Sequence, residues 1–95
     1  MDHLSHYRKR IDEIDDQLLD LFAERFDIVR AVGKLKAENN IQIVQSARVE
    51  EVIERVTAMA EEKHIPPAFI KDLYTRMIDL AHIIENDILD NHDQS

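Results

Sequence analysis

Apolar residues recur along the first part of the chain in alternating steps of three and four: Leu4, Tyr7, Ile11, Ile14, Leu18, Leu21, then Ile28, Val32 and Leu35. Between Leu21 and Ile28 the rhythm falls on Arg25, a permanent cation where helix packing wants Leu or Ile. The spacing is a heptad seam, broken only by the tolerated Gly33, and it predicts one helix from about Leu4 to Glu38. At 1.5 Å rise per residue that helix is roughly 50 Å long, beyond the width of a compact domain of this size. An apolar stripe so long needs a second surface to cover its far half. The economical cover is a second copy of the chain, so the pattern predicts an intertwined helical homodimer.

Asn39 and Asn40 end this helix, and Ile41 to Gln45 form a short connection. Ser46 is the expected N-cap of a second helix to about Lys63, with Val49, Val52, Ile53, Val56 and Met59 on its apolar face. His64 to Pro67 is the next break, and Pro67 suits the first turn of a third helix. That helix is expected to reach about Leu89, with Phe69, Ile70, Leu73, Met77, Leu80, Ala81, Ile84 and Ile88 inward and the tail from Asn91 frayed. The fold class is therefore all-α, three helices in a single domain over residues 1–95.

Composition narrows the chemistry. There is no cysteine, which removes disulfides, thiolate metal sites and a cysteine nucleophile. No apolar run approaches a membrane span, and MDHLSHYRKR lacks the apolar core of a signal peptide, so a cytoplasmic protein is expected. The formal charge of -8 argues against nucleic acid. It leaves room for a small anion, because a few cations gathered in one pocket outweigh a diffuse acidic exterior.

Arg25 has two readings, a snorkelling or register-setting residue and one wall of an anion site. Lys36, eleven residues on, leaves the helix on nearly the same face, with Cα atoms roughly 16 Å apart, so the two side chains can bracket a metabolite-sized ligand. No Asp or Glu shares the seam to neutralise them. Arg48 opens the second helix, where an antiparallel return brings it beside the second half of the first. There it is either an exposed first-turn residue or a ligand for a carboxylate. Arg8, seventeen residues before Arg25, lies too far along the helix to join the same pocket within one chain, but a partner's copy can reach it. Glu85 stands on the third helix in line with Tyr74 and Ile78 and near Ala81. It is either a boundary residue paired with a surface cation or, as a neutral acid, a hydrogen-bond donor into the pocket. His3 and His6 have metal-compatible spacing without a third ligand, His64, His82 and His92 have no recognisable partner, and no nucleophile triad or phosphate loop is present. No metal or cofactor is expected.

The order Arg8, then AER ending at Arg25, GKLK ending at Lys36, Arg48 and Glu85 resembles the all-helical (AroQ) class of chorismate mutases, over about Leu4 to Leu89. The resemblance implies a dimer with two equivalent sites, in which Arg25 and the partner subunit's Arg8 hold two substrate carboxylates with Arg48 in support. It implies that Lys36 contacts a carboxylate and the ether oxygen, that Glu85 bonds the same ether oxygen, and that the enzyme serves the shikimate pathway. Two positions depart from the family pattern. Val49 stands where Glu often engages the ring hydroxyl, and Ala81 replaces a Ser one turn before Glu85. Both changes remove polar contacts from the substrate pocket. Isochorismate-pyruvate lyases, some with Val at the same place, and 4-amino-4-deoxychorismate mutases are related enzymes of this fold. A reading of another class is a helical dimerisation module in which Arg25 and Lys36 only set register; it predicts that Arg25→Leu stabilises the dimer and that no dicarboxylate binds.

Overall fold

The computed structural model describes residues 3–93, and all of its regular elements are helices: α1 (His3–Glu38), α2 (Ser46–Glu62) and α3 (Pro67–Asp93). The heptad seam thus forms one unbroken helix of 36 residues, and the chain is all-α. At its end Asn40 adopts a left-handed conformation with φ 55°, which Asn tolerates better than most side chains. The Asn39 side-chain amide donates to the Leu35 carbonyl at 2.8 Å, satisfying one of the carbonyls the helix leaves open.

Two expected boundaries are corrected. Ser46 is the first residue of α2 and does not cap it. Gln45 holds the cap position with extended backbone and no side-chain capping bond, and its carbonyl accepts from the Arg48 and Val49 N–H groups at 3.0 and 3.1 Å. The tail also does not fray at Asn91, because α3 continues to Asp93. Ile88 and Leu89 are half-buried and anchor the turn that the tail extends. Gln94 and Ser95 lie outside the described residues.

The helices are layered around α3, which packs against both α1 and α2, while α1 and α2 do not pack on each other. Val52 and Val56 of α2 bury against Ile78 of α3, with Val49, Ile53, Ile70 and Tyr74 around them. The inward face of α3 is rotated from the expected one. Ile78 and Glu85 are buried with Met77 and Ala81, whereas Phe69 and Leu80 stay 59% and 46% exposed. Met59 on α2 is likewise exposed. The reason is that α3 has to present one flank to α1 and another to α2, so its buried surface is wider than a single stripe.

Gly33, the only glycine in the chain, sets how closely α1 approaches α3. A Cβ there would lie 2.9 Å from the tip of Ile88 and 3.3 Å from both Cα and Cγ of Glu85. The Ile88 tip can swing away, but the Glu85 backbone cannot move without the helix.

The isolated chain is extended, 61 × 28 × 14 Å, with a radius of gyration of 17.3 Å, where a compact chain of this length has about 12 Å. It exposes 7617 Å², against about 5,700 Å² for a compact protein of its mass. The excess lies on α1. All described residues up to Asp20 are exposed, and the apolar seam residues from Leu4 to Leu35 are each at least 37% exposed.

Gly33→Ala gains up to about 1 kcal/mol of helix propensity but incurs about 1–3 kcal/mol of overpacking against α3. The expected outcome is a net loss of about 1 kcal/mol, a fall of about 4–8 °C in the midpoint of thermal unfolding followed by circular dichroism. A raised midpoint would mean that α3 is free to move away from α1.

Candidate functional site

The gap between α1 and α2 is floored by α3 and forms a cavity of about 310 Å³. Each helix contributes a distinct part of its wall. α1 supplies Arg25 and Lys36 with Val29 and Val32 between them, α2 supplies Arg48, Val49 and Val52, and α3 supplies Ile78, Ala81, His82 and Glu85. The expected residues Arg25, Lys36, Arg48, Val49, Ala81 and Glu85 therefore meet at one cavity. Arg8 does not: it is exposed on the first half of α1 and does not line this cavity.

Lys36 is the most constrained cation. Its ammonium donates to Glu85 Oε1 at 2.6 Å and to the Ile43 carbonyl at 2.7 Å. The side chains are 16% and 5% exposed, so this is a largely buried ion pair that links α1 to α3. The seam holds no acid to neutralise Lys36, and α3 provides one instead. Glu85 itself is only 4% exposed, and among the described residues no buried side-chain polar atom lacks a hydrogen bond. Of the two sequence readings of Glu85, the boundary residue paired with a surface cation is therefore incorrect: its partner is the site's own lysine.

Arg25 is half-buried, and its guanidinium stands 5.8 Å from the ring centroid of Tyr74. The ring face attracts the cation and limits where it swings, without occupying its N–H donors. Arg48 is exposed and pairs with Glu51 one turn on along α2. An exposed pair of this kind contributes little and is readily exchanged. Arg48 can therefore release Glu51 for an anion entering the cavity.

Three features were not singled out from the sequence. Tyr74 beneath Arg25 was noted only as lying in line with Glu85. The Ile43 carbonyl is invisible to side-chain reasoning, and of the three apolar residues in the connection only Ile43 is buried, at 8% exposed, while Ile41 and Val44 are exposed. His82 was set aside as lacking a partner, yet it lines the cavity. Its signal was present: Ile78, Ala81, His82 and Glu85 follow the i, i+3, i+4, i+7 rule for one helix face.

Residues 7–86 match the family described as chorismate mutase type II. The chain belongs to this family. The segment that carries the match includes Arg8, Arg25, Lys36, Arg48 and Glu85. Among relatives, the T-protein of Enterobacter agglomerans is 32% identical over 84 residues, 88% of this chain and 22% of that protein. A 4-amino-4-deoxychorismate mutase of Streptomyces pristinaespiralis is 32% identical over 77 residues, 81% of this chain and 60% of that one. A chorismate mutase of Methanocaldococcus jannaschii is 31% identical over 65 residues, covering 68% and 66% of the two chains. The chain spans less than a quarter of the length of the T-protein it matches. Within this chorismate mutase type II chain, no helix among the described residues is long and apolar enough to cross a membrane.

Removing one partner of a buried ion pair strands the other. Glu85→Ala is expected to lower the stability of the unliganded protein by about 3 kcal/mol, measured by urea denaturation, while Glu85→Gln, which still accepts from Lys36, loses less than half as much. Equal losses for the two would show that the Lys36 contact is not what holds α3 to α1.

Proposed function

We propose that the protein is a cofactor-free cytoplasmic chorismate mutase that acts as an intertwined homodimer, rearranging chorismate to prephenate. One observation carries this reading: Arg25, Lys36 and Arg48 converge with the single carboxylate of Glu85 around a cavity whose remaining lining, His82 apart, is aliphatic. Three cations against one carboxylate leave an excess of two positive charges, the complement of a dicarboxylate. The volume of about 310 Å³ is at the small end of ligand pockets and suits a single-ring metabolite.

The reaction suits these residues. It is an intramolecular Claisen rearrangement in which a C–O bond breaks and a C–C bond forms, with no net gain or loss of protons or electrons. No nucleophile is needed; the protein has to hold the enolpyruvyl arm folded over the ring. Arg25 and the partner subunit's Arg8 grip the two carboxylates in this reading, with Arg48 assisting once Glu51 is displaced. Guanidinium forks fix a carboxylate in orientation as well as in place. As the C–O bond lengthens, negative charge grows on the ether oxygen. Lys36 has three N–H donors, two of which are taken by Glu85 and Ile43, and the third is available to that oxygen. Glu85 accepts from Lys36 at Oε1 and so holds the ammonium where its third donor faces the cavity. A preorganised donor of this type contributes about 3 kcal/mol to the transition state.

The homodimer is supported by the α1 seam, whose apolar residues are all at least 37% exposed in the single chain. The excess exposed surface, about 1,900 Å² per chain over a compact protein of the same mass, is of the size that obligate dimers bury. In such a dimer the exposed Arg8 reaches the other subunit's cavity.

A second reading, mutase action on 4-amino-4-deoxychorismate, is favoured by one observation: Val49 and Ala81 give the ring an apolar surround. The 32% identity to an enzyme named for that substrate agrees with it.

Chorismate, isochorismate and 4-amino-4-deoxychorismate offered side by side test these readings. The highest kcat/KM is expected with chorismate, and Lys36→Ala is expected to lower kcat by about 10²–10³. No turnover of any of the three would overturn the enzyme reading. Mixing an Arg8→Ala chain with an Arg25→Ala chain tests the shared site: heterodimers contain one intact cavity, so activity is expected to reappear on mixing. Heterodimers that form and stay inactive would refute it.

A further inference from the structure

We infer that His82 is the residue that recognises the hydroxyl or amino group on the substrate ring, and so determines which ring is accepted. The inference rests on the isomerase reading above. That reading gives partners to the carboxylates and to the ether oxygen, and none to the polar substituent of the ring. Among the described residues lining the main cavity, His82 is the one polar side chain that is neither an obligate cation nor a carboxylate; the rest are Arg25, Lys36, Arg48, Glu85 and aliphatic residues. The cations face groups of full negative charge, and a ring hydroxyl is not one.

His82 is also placed and free for the task. It is half-buried on α3, next to Ala81 and one turn before Glu85, within the cavity wall that Ile78, Ala81 and Glu85 also form. Its imidazole makes no side-chain hydrogen bond among the described residues, whereas Lys36, Glu85 and Arg48 each have partners. It lines a second cavity of about 200 Å³ that adjoins the first, together with Val49, Ile43 and Gln45. Val49 from α2 and His82 from α3 therefore face each other at the loop end of the site, one apolar and the other with a ring nitrogen that donates and another that accepts. A hydroxyl satisfies either nitrogen, and an amino group satisfies the accepting one.

The test measures kcat and KM with chorismate, with 4-amino-4-deoxychorismate and with an analogue that carries hydrogen in place of the ring substituent. His82→Leu is expected to lower kcat/KM for the substrate preferred by wild type by about tenfold, the value of one neutral hydrogen bond. The loss is expected mainly in KM, because the contact is the same in ground and transition states. The unsubstituted analogue is expected to be turned over as by wild type, and His82→Gln, which keeps a donor and an acceptor, to recover most of the loss. The larger drop identifies whether the hydroxyl or the amino group is read. Should the leucine variant unfold, His82→Ala carries the same comparison. An equal loss on all three compounds, or no loss on any, overturns the assignment while leaving the isomerase reading intact. Wild type inert toward both natural substrates overturns the two together.

Discussion

Lys36 extends from α1 with three N–H donors, and two of them are taken up inside the chain, by the Glu85 carboxylate on α3 and by the Ile43 carbonyl in the connection. The rest of the molecule is arranged around that pair of bonds. The first fixes the distance between α1 and α3, which is short enough only because Gly33 has no side chain. The second pins the connection against α1 and thereby sets where α2 begins, and with it where Arg48 and Val49 emerge. A buried ion pair is weak evidence of stability in itself, since desolvation opposes the Coulomb attraction. Its contribution here is geometric, because one ammonium group holds three elements in register around a cavity.

The fold was legible because its periodicities are strong and uninterrupted. Alternating steps of three and four from Leu4 to Leu35 leave no other structure for α1. The cavity was legible because Arg25 breaks an apolar pattern and Lys36 follows it at a spacing that returns to nearly the same helix face. What the chain did not disclose was mostly relational. That Glu85 pairs with Lys36 depends on the closeness of two helices, which follows from a glycine that a helical pattern merely tolerates. Ile78 and Tyr74 were on the page as a line along α3, but which line turns inward depends on two neighbours at once. Gln45 displaced Ser46 as the cap because the connection, held down at Ile43, brings the chain into the helix one residue early.

Charge is distributed to the same end. The chain as a whole carries -8, yet among the described residues Glu85 is the one acid that lines the cavity. Against that acidic exterior, the cations concentrated at the cavity make it the place where an anion gains most. α1 performs two jobs with one repeat. Its apolar positions stay exposed, the surface the proposed dimer covers, and the single cationic interruption, resting on Tyr74, turns into the site.

The gap between α1 and α2 has a mechanical meaning. Two helices that both lean on α3 and do not touch each other form an open hinge, closed by chain at only one end. In the proposed reading, a ligand gripped by Arg25 on one arm, with Arg48 assisting from the other, is the strut across that hinge. Occupancy and rigidity are then one quantity: each ligand that spans the arms stiffens the wedge, and a ligand too short to span them is held by one arm alone. In the proposed reading, selection among similar anions by length then follows from the layering of three helices, before any polar contact to the ring is made.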